Sequence, residues 1–156
     1  MGGYEVSRMV TVAAEPERVH ALIDDFHEWP AWSPWEGVDP DMERTYSGPE
    51  KGVGSRYAWR GNRKAGSGDM TIVSSDAGRV GIELRFLKPV KSESRIDFEL
   101  VPAGPATAVT WRMTGEQKGL MAVFGRVMPM EKLVGKDFEK GLARLKTVAE
   151  TPGPTA

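Results

Sequence analysis

Apolar and polar residues alternate with period two through the middle of this chain, and that alternation predicts strands. Val80, Ile82, Leu84 and Phe86 alternate with Gly81, Glu83 and Arg85, and Ile96, Phe98 and Leu100 with Arg95, Asp97 and Glu99. Val109, Trp111 and Met113 alternate in the same way with Thr110 and Arg112. The predicted strands are Tyr4–Val12, a short one ending near Tyr46, Ser55–Arg60, Asp69–Ser74, Arg79–Leu87, Ser94–Val101 and Ala108–Thr114. Between them lie the turn signals SGPEKGVG, GNRKAG, Ser75-Asp76-Ala77-Gly78, Lys88-Pro89 and PAGPA. These recur at roughly ten-residue spacing with no helical crossover, so neighbouring strands are antiparallel. One face of the sheet is apolar and aromatic. The other carries Glu83, Arg85, Arg95, Asp97, Glu99 and Arg112, as suits a solvated face with cross-strand charge pairs.

Two segments show the helical period instead. In AAEPERVHALIDDF, Val19, Leu22, Ile23 and Phe26 fall on one stripe, and Pro16 stands where a first helical turn tolerates it. From Met130 to Ala149, the residues Val134, Phe138, Leu142 and Leu145 form a second stripe flanked by Leu133 and Val148. This long helix is the cover that a one-sided antiparallel sheet requires. Gly141 on its sheet-facing side permits close approach. Ahead of it, GLMAVFGRVMP is apolar, contains glycine and is stopped by Pro129, so residues 119–129 are expected to form a mobile, hydrophobic loop or short helix, with a lid left open as its role.

Between the first helix and the sheet lies DDFHEWPAWSPWE, residues Asp24–Glu36, with Trp29, Trp32 and Trp35. Pro30 and Pro34 forbid one continuous helix there, because each lacks an N–H and restricts the residue before it. A short helix ending near Asp25 and then a tight aromatic corner is the expected arrangement.

Composition narrows the function classes. The chain has 156 residues and 40 % apolar content, enough for a single core, so residues 1–150 are read as one domain and 151–156 as a disordered tail. A formal net charge of −1 supplies no attraction to nucleic acid or to an anionic membrane. The absence of cysteine removes thiol catalysis, disulfides and thiolate metal sites. There is no apolar run of about 18 residues to insert in a membrane, and MGGYEVSR lacks the features of a signal peptide. A cytoplasmic location is the resulting expectation. No G-x-S-x-G, G-x-G-x-x-G or phosphate loop is present, and no cofactor is expected.

The order of strand, two short helices at an aromatic corner, a meander and a long C-terminal helix is the helix-grip pattern. The segments EPERVHALIDDFHEWPAWSPWE, YAWRGNRKAGSGDMTIV, FLKPVKSES, TAVTWRMTGE and MEKLVGKDFEKGLARLK resemble the SRPBCC (START-like, Bet v allergen-like) superfamily, in its polyketide cyclase/dehydrase branch. The resemblance runs from about Glu5 to Ala149. It implies an α+β helix-grip fold, with a curved antiparallel sheet of about six to seven strands wrapped on the C-terminal helix. It also implies an apolar cavity between sheet and helix. Members bind lipids, sterols, polyketides or aromatic small molecules, and some catalyse cyclisation or dehydration, without one short catalytic motif in common.

Strand parity nominates Trp32, Tyr57, Trp59, Met70, Ile72, Leu84, Phe86, Phe98, Trp111 and Met113 for such a cavity, with Phe124 and Phe138 from the helix side. The same parity is what an ordinary core would show. Collectively, large aromatics and adaptable methionines suit an apolar guest. The expected function is therefore binding of a small hydrophobic or aromatic molecule by a monomer or homodimer. Two alternatives stand beside it. One is a cyclase or dehydratase, for which Tyr57, Tyr46 and Glu131 are the candidate proton-transferring groups. Glu131 lies either on the apolar stripe or, reset by Pro129, in an exposed first turn. The other is a protein-interaction module, which requires Trp29 or Trp35 at the surface. His20, Asp24 and His27 share a helical spacing that suits metal ligands, but the surface reading is preferred and no metal is expected. Arg56, Arg60, Arg63 and Lys64 crowd one hairpin; parity turns Arg56 and Arg60 outward, away from Tyr57 and Trp59.

Overall fold

The computed structural model describes residues 3–34, 41–61, 66–88, 91–116 and 130–151. Seven antiparallel strands form one sheet: β1 (Gly3–Val12), β2 (Glu43–Ser47), β3 (Arg56–Arg60), β4 (Ser67–Asp76), β5 (Arg79–Lys88), β6 (Ser92–Ala103) and β7 (Ala106–Glu116). Their spatial order is β1-β7-β6-β5-β4-β3-β2, so the meander is intact and the first strand closes onto the last. After β1 come helix α1 (Pro16–Ile23) and a 3₁₀ turn (Phe26–Ala31); helix α2 (Met130–Glu150) ends the described chain. This is the helix-grip architecture.

Register explains the burial. Val80 pairs with Phe98, Ile82 with Ile96, and Phe98 with Trp111, so the expected apolar residues share the inner face. Several boundaries differ from expectation for local reasons. The predicted turn at Ser75-Asp76 is strand, because Ser75 Oγ donates to Asp24 Oδ1 at 2.6 Å and holds the end of β4 against α1. β6 continues past Val101 because Pro102 and Ala103 pair with β7, and β7 continues past Thr114 because Gly115 pairs with Ser94 and Glu116 with Gly3 of β1. The first helix stops at Ile23, and Phe26 belongs to the 3₁₀ turn that follows.

The aromatic corner closes that helix chemically. The last carbonyls of a helix lack intrahelical donors. Here the Trp32 indole N–H donates to Leu22 O and the Trp29 indole N–H to Ile23 O, each at 2.9 Å. Both rings then drop into the core, where they meet each other at 4.5 Å between centroids. Trp29 is only 4 % exposed, so it offers no surface for a protein partner; Trp35 lies outside the described residues.

Helix α2 packs along β1 and against α1 and the 3₁₀ turn. Its glycines set the distance. A Cβ on Gly141 would stand 2.8 Å from Pro34 Cδ and 2.9 Å from Trp111 Cζ3, and one on Gly135 would stand 2.8 Å from Arg8 Cζ. Phe138 stacks on Trp111 with centroids 4.1 Å apart and planes 10° from parallel. The C-terminal end is clamped: Arg18 donates to Ala149 O (2.6 Å), Val148 O (3.0 Å) and Thr151 O (2.9 Å).

Candidate functional site

Lateral placement of α2 divides the inner face in two. On the β1–β7–β6 side, Trp32, Trp111, Phe98 and Phe138 are 0 % exposed and packed ring on ring, and Ile72 of β4 is equally unexposed. A side chain with no accessible surface borders no space that even a water could fill. These five residues, nominated for the cavity by parity, form closed core. Met70, Leu84 and Met113 are buried beside them with a few per cent of their surface left.

On the β2–β5 side the inner face is more open. Tyr46, Trp59 and Phe86 are half-buried against the core edge, and Tyr57 lies between them. Their rings form a continuous row. Tyr46 meets Tyr57 at 5.3 Å, Tyr57 is near-parallel to Trp59 at 6.1 Å, and Trp59 meets Phe86 edge-on at 5.5 Å. At the other end His27 stacks on Tyr46 at 4.1 Å, and Phe26 of the 3₁₀ turn touches Tyr57 at 5.9 Å. The position of Trp59 is set by a missing side chain. Its register partner is Gly68, where a Cβ would lie 2.7 Å from Trp59 Cη2, so the indole takes up space that a side chain there would fill. A register shift between Ser67 and Gly68 bends the strand at that point.

Phe86 also borders an open concavity of about 800 Å³ that wraps the β5–β6–β7 end of the sheet, lined with it by Leu84, Ser92, Ser94 and Gly115 from the inner face and by Glu83, Arg85, Glu93, Arg95 and Thr114 from the outer face. That volume falls within the range of small-molecule sites. Among the nominated residues, Tyr57, Trp59 and Phe86 therefore come together, with Leu84 and Met70 behind them in register. Phe124, the side chain of Glu131 and the segment 119–129 lie outside what the structure describes.

Sequence reasoning passed over three groups. Arg8, inside a strand rich in β-branched residues, pairs with Trp111 and so faces inward, where Glu139 of α2 accepts from its Nε at 2.8 Å. Arg44 pairs with Trp59 and shares the inner face with the aromatic row. Asp69 sits on the outer face yet is only 3 % exposed, under the guanidinium groups of Arg85 (2.9 Å) and Arg56 (3.0 Å). Burial pushes the Asp69 carboxyl up, but hydrogen bonds and charge from Arg85 and Arg56 prevail and hold it below the usual carboxylate range. Parity was the available signal for Arg8 and Arg44. For Asp69 none existed, since its carboxyl is buried by long side chains from neighbouring strands.

The histidines serve structure. His27 Nδ1 is 2.8 Å from Asp25 Oδ1, while His20 Nε2 is 3.1 Å from Ser75 Oγ. The suggested ligand set of His20, Asp24 and His27 does not converge. His20, Ser75 and Asp24 do line up, but in the wrong order for nucleophilic catalysis. Ser75 donates to Asp24, so His20 Nε2 donates to Ser75 and cannot take its proton. Arg56 is taken by Asp69 and Arg60 by Glu43, both away from the aromatic row. No described helix is long and apolar enough to cross a membrane.

Known structures share this architecture at low sequence identity. Protein CV1439 from Chromobacterium violaceum superposes with a TM-score of 0.68 at 13 % identity, covering 95 % of this chain and 98 % of that one. The di-domain ARO/CYC BexL from the BE-7585A biosynthetic pathway gives 0.70 at 13 %, over 97 % of this chain and 51 % of BexL. Ara h 8.0201 gives 0.61 at 14 %, over 96 % of both chains. No curated protein shows significant similarity. At these identities the likeness is one of fold. The family model for "Polyketide cyclase / dehydrase and lipid transport" matches residues 4–150. That match spans every described element from β1 to α2, and the chain belongs to the polyketide cyclase/dehydrase family of the SRPBCC, START-like superfamily.

Proposed function

We propose that this protein binds a small, mostly apolar molecule against the row Tyr46–Tyr57–Trp59–Phe86 and in the adjoining concavity. The observation that carries the reading is the division of the inner face. One half is packed ring on ring, whereas the other keeps large aromatics half-exposed on a rigid sheet. Solvent-facing aromatic surface at a concave site is unfavourable until something covers it. Covering about 300 Å² of ligand contributes on the order of 7 kcal/mol before association costs, enough for useful binding. The family match supports the same reading, since its description includes lipid transport.

Cyclisation or dehydration of a polyketide-like ligand is the second reading. The phenols of Tyr46 and Tyr57 within the row favour it, as groups able to hold or move a proton beside a bound chain. Native mass spectrometry of the purified protein, beside its denatured organic extract, tests the first reading. A stoichiometric small molecule that is lost from Trp59→Ala is expected. A bare protein whose tryptophan fluorescence is also unmoved by apolar ligands would defeat it. Incubating any recovered ligand class with the protein and looking for loss of water or ring closure then tests the second.

A further inference from the structure

The contact that fixes His27 in the fold also fixes its chemistry. Asp25 caps the 3₁₀ turn, and its Oδ1 serves His27 twice. It accepts from the backbone N–H at 2.9 Å and lies 2.8 Å from the ring Nδ1. An ionised carboxylate offers only acceptor atoms, so Nδ1 carries the proton and Nε2 keeps its lone pair. The ring plane is held as well, by the stack on Tyr46 at 4.1 Å and 19°. Nε2 itself makes no hydrogen bond among the described residues, and the His27 side chain is 45 % exposed. His20 is the contrast: its Nε2 is engaged by Ser75 Oγ at 3.1 Å, and no carboxylate touches its ring.

Position gives that lone pair a use. Tyr46 is the end member of the row that runs on to Tyr57, Trp59 and Phe86, so the imidazole stacked on it stands at the head of the row. Phe26, the residue before His27, touches Tyr57 and ties the turn to the second ring of the row.

We propose, resting on the binding reading above, that His27 Nε2 is a general base at the head of the row, with Asp25 as its positioning residue. Its substrate is a bound molecule with an acidified C–H, such as one next to a carbonyl. The C–H bond breaks and an N–H bond forms at Nε2, while the electron pair of the broken bond passes to the carbonyl oxygen as an enolate. The imidazolium so formed lies against the Asp25 carboxylate, which favours its charge. Proton transfer thereby falls to an imidazole rather than to the phenols of Tyr46 and Tyr57.

The test uses 5-nitrobenzisoxazole, a flat apolar probe, on the full chain. A base takes its C–H proton, the C–H pair completes a nitrile, and the N–O bond breaks to leave a coloured phenolate. Wild type is expected to open the probe roughly 10²-fold faster per mole than free imidazole at the same pH. His27→Gln is expected to abolish that excess. Asp25→Asn keeps an acceptor but loses the charge, and should lower kcat roughly tenfold with KM unchanged, a split that a structural role alone would not give. Trp59→Ala should raise KM instead. Diethyl pyrocarbonate should label His27 well before His20 in the wild-type protein, which keeps the proposal testable if a variant does not fold. A wild-type rate no better than imidazole overturns it, as does an excess that survives His27→Gln or labelling of His20 first. Tryptophan fluorescence separates the two failures. A probe that binds without being opened removes the base and leaves the binding reading in place, whereas one that neither binds nor reacts removes both.

Discussion

Two tryptophans on the same face of the same sheet should behave oppositely when removed. Trp111 is 0 % exposed, stacked on Phe138 at 4.1 Å and met by Phe98 at 4.9 Å and Trp32 at 5.6 Å. A buried tryptophan covers about 200 Å², which at about 25 cal/mol per Å² is roughly 5 kcal/mol of transfer free energy. Alanine retains a little of this, and incomplete collapse of the hole adds to the loss. Trp111→Ala should therefore cost about 3–5 kcal/mol, or about 6–20 °C in Tm for a chain of this size. Trp59 is only partly buried, and about two-thirds of that area at the same rate is roughly 3 kcal/mol of transfer free energy, so Trp59→Ala should cost about 2–3 kcal/mol. The assay is urea denaturation followed by far-UV circular dichroism, with apolar-ligand titration at low denaturant on the same samples. Trp111→Ala should lose stability and Trp59→Ala should lose ligand affinity. If Trp59→Ala costs as much stability as Trp111→Ala, the open half of the inner face is as closed as the rest and the division is refuted.

Two further outcomes follow from packing and charge. Gly141→Val places atoms where Pro34 and Trp111 already lie within 2.9 Å, so α2 must lift. Despite the better helix propensity of valine, the loss should be about 2 kcal/mol, read as a lower Tm; an unchanged Tm would mean that the helix does not rest on that contact. Asp69 titrates below its unfolded value because Arg85 and Arg56 outweigh its burial. Its contribution is thus fully present above the unfolded carboxylate pKa of about 3.9 and is lost as pH falls through the lower folded value. Asp69→Asn should be less stable than wild type near neutrality by about 1–2 kcal/mol, the two partners being half-exposed, and the gap should narrow below pH of about 3. A gap that stays constant on acidification would show that the carboxylate charge is not what the arginines hold.

The alternation of residues 80–113 made the sheet, its antiparallel order and its two faces legible, because period two reports side-chain direction directly. The stripe Val134–Phe138–Leu142–Leu145 did the same for the covering helix. Neither pattern says where on the sheet the helix lies. Parity gave Trp59 and Trp111 the same standing, and only the placement of α2 along β1 separates a closed core from an open wall. Strand ends were drawn short at Ser92, Ala103 and Asp76, because residues there are polar or small and their pairing is decided by the partner strand. The position of Trp59 depends on Gly68, which in a strand reads as a weakness and here supplies the room for an indole.

The margins of the sheet have a consequence for how the molecule behaves in a crowd. Open strand edges are templates for further strands, and a seven-stranded sheet of this order has one at β1 and one at β2. Along β1, Thr11 O accepts from Lys146 of α2, Ser7 O accepts from the neighbouring Arg8, and the N–H of Ala13 just beyond donates to Glu150. Charged side chains thus occupy backbone groups that an incoming strand would need. At the far margin β2 has only five residues, and Glu43 and Arg60 pair across its end. The helix that grips the sheet also guards its longer edge against aggregation, so loosening α2 would expose a sticky border as well as a core.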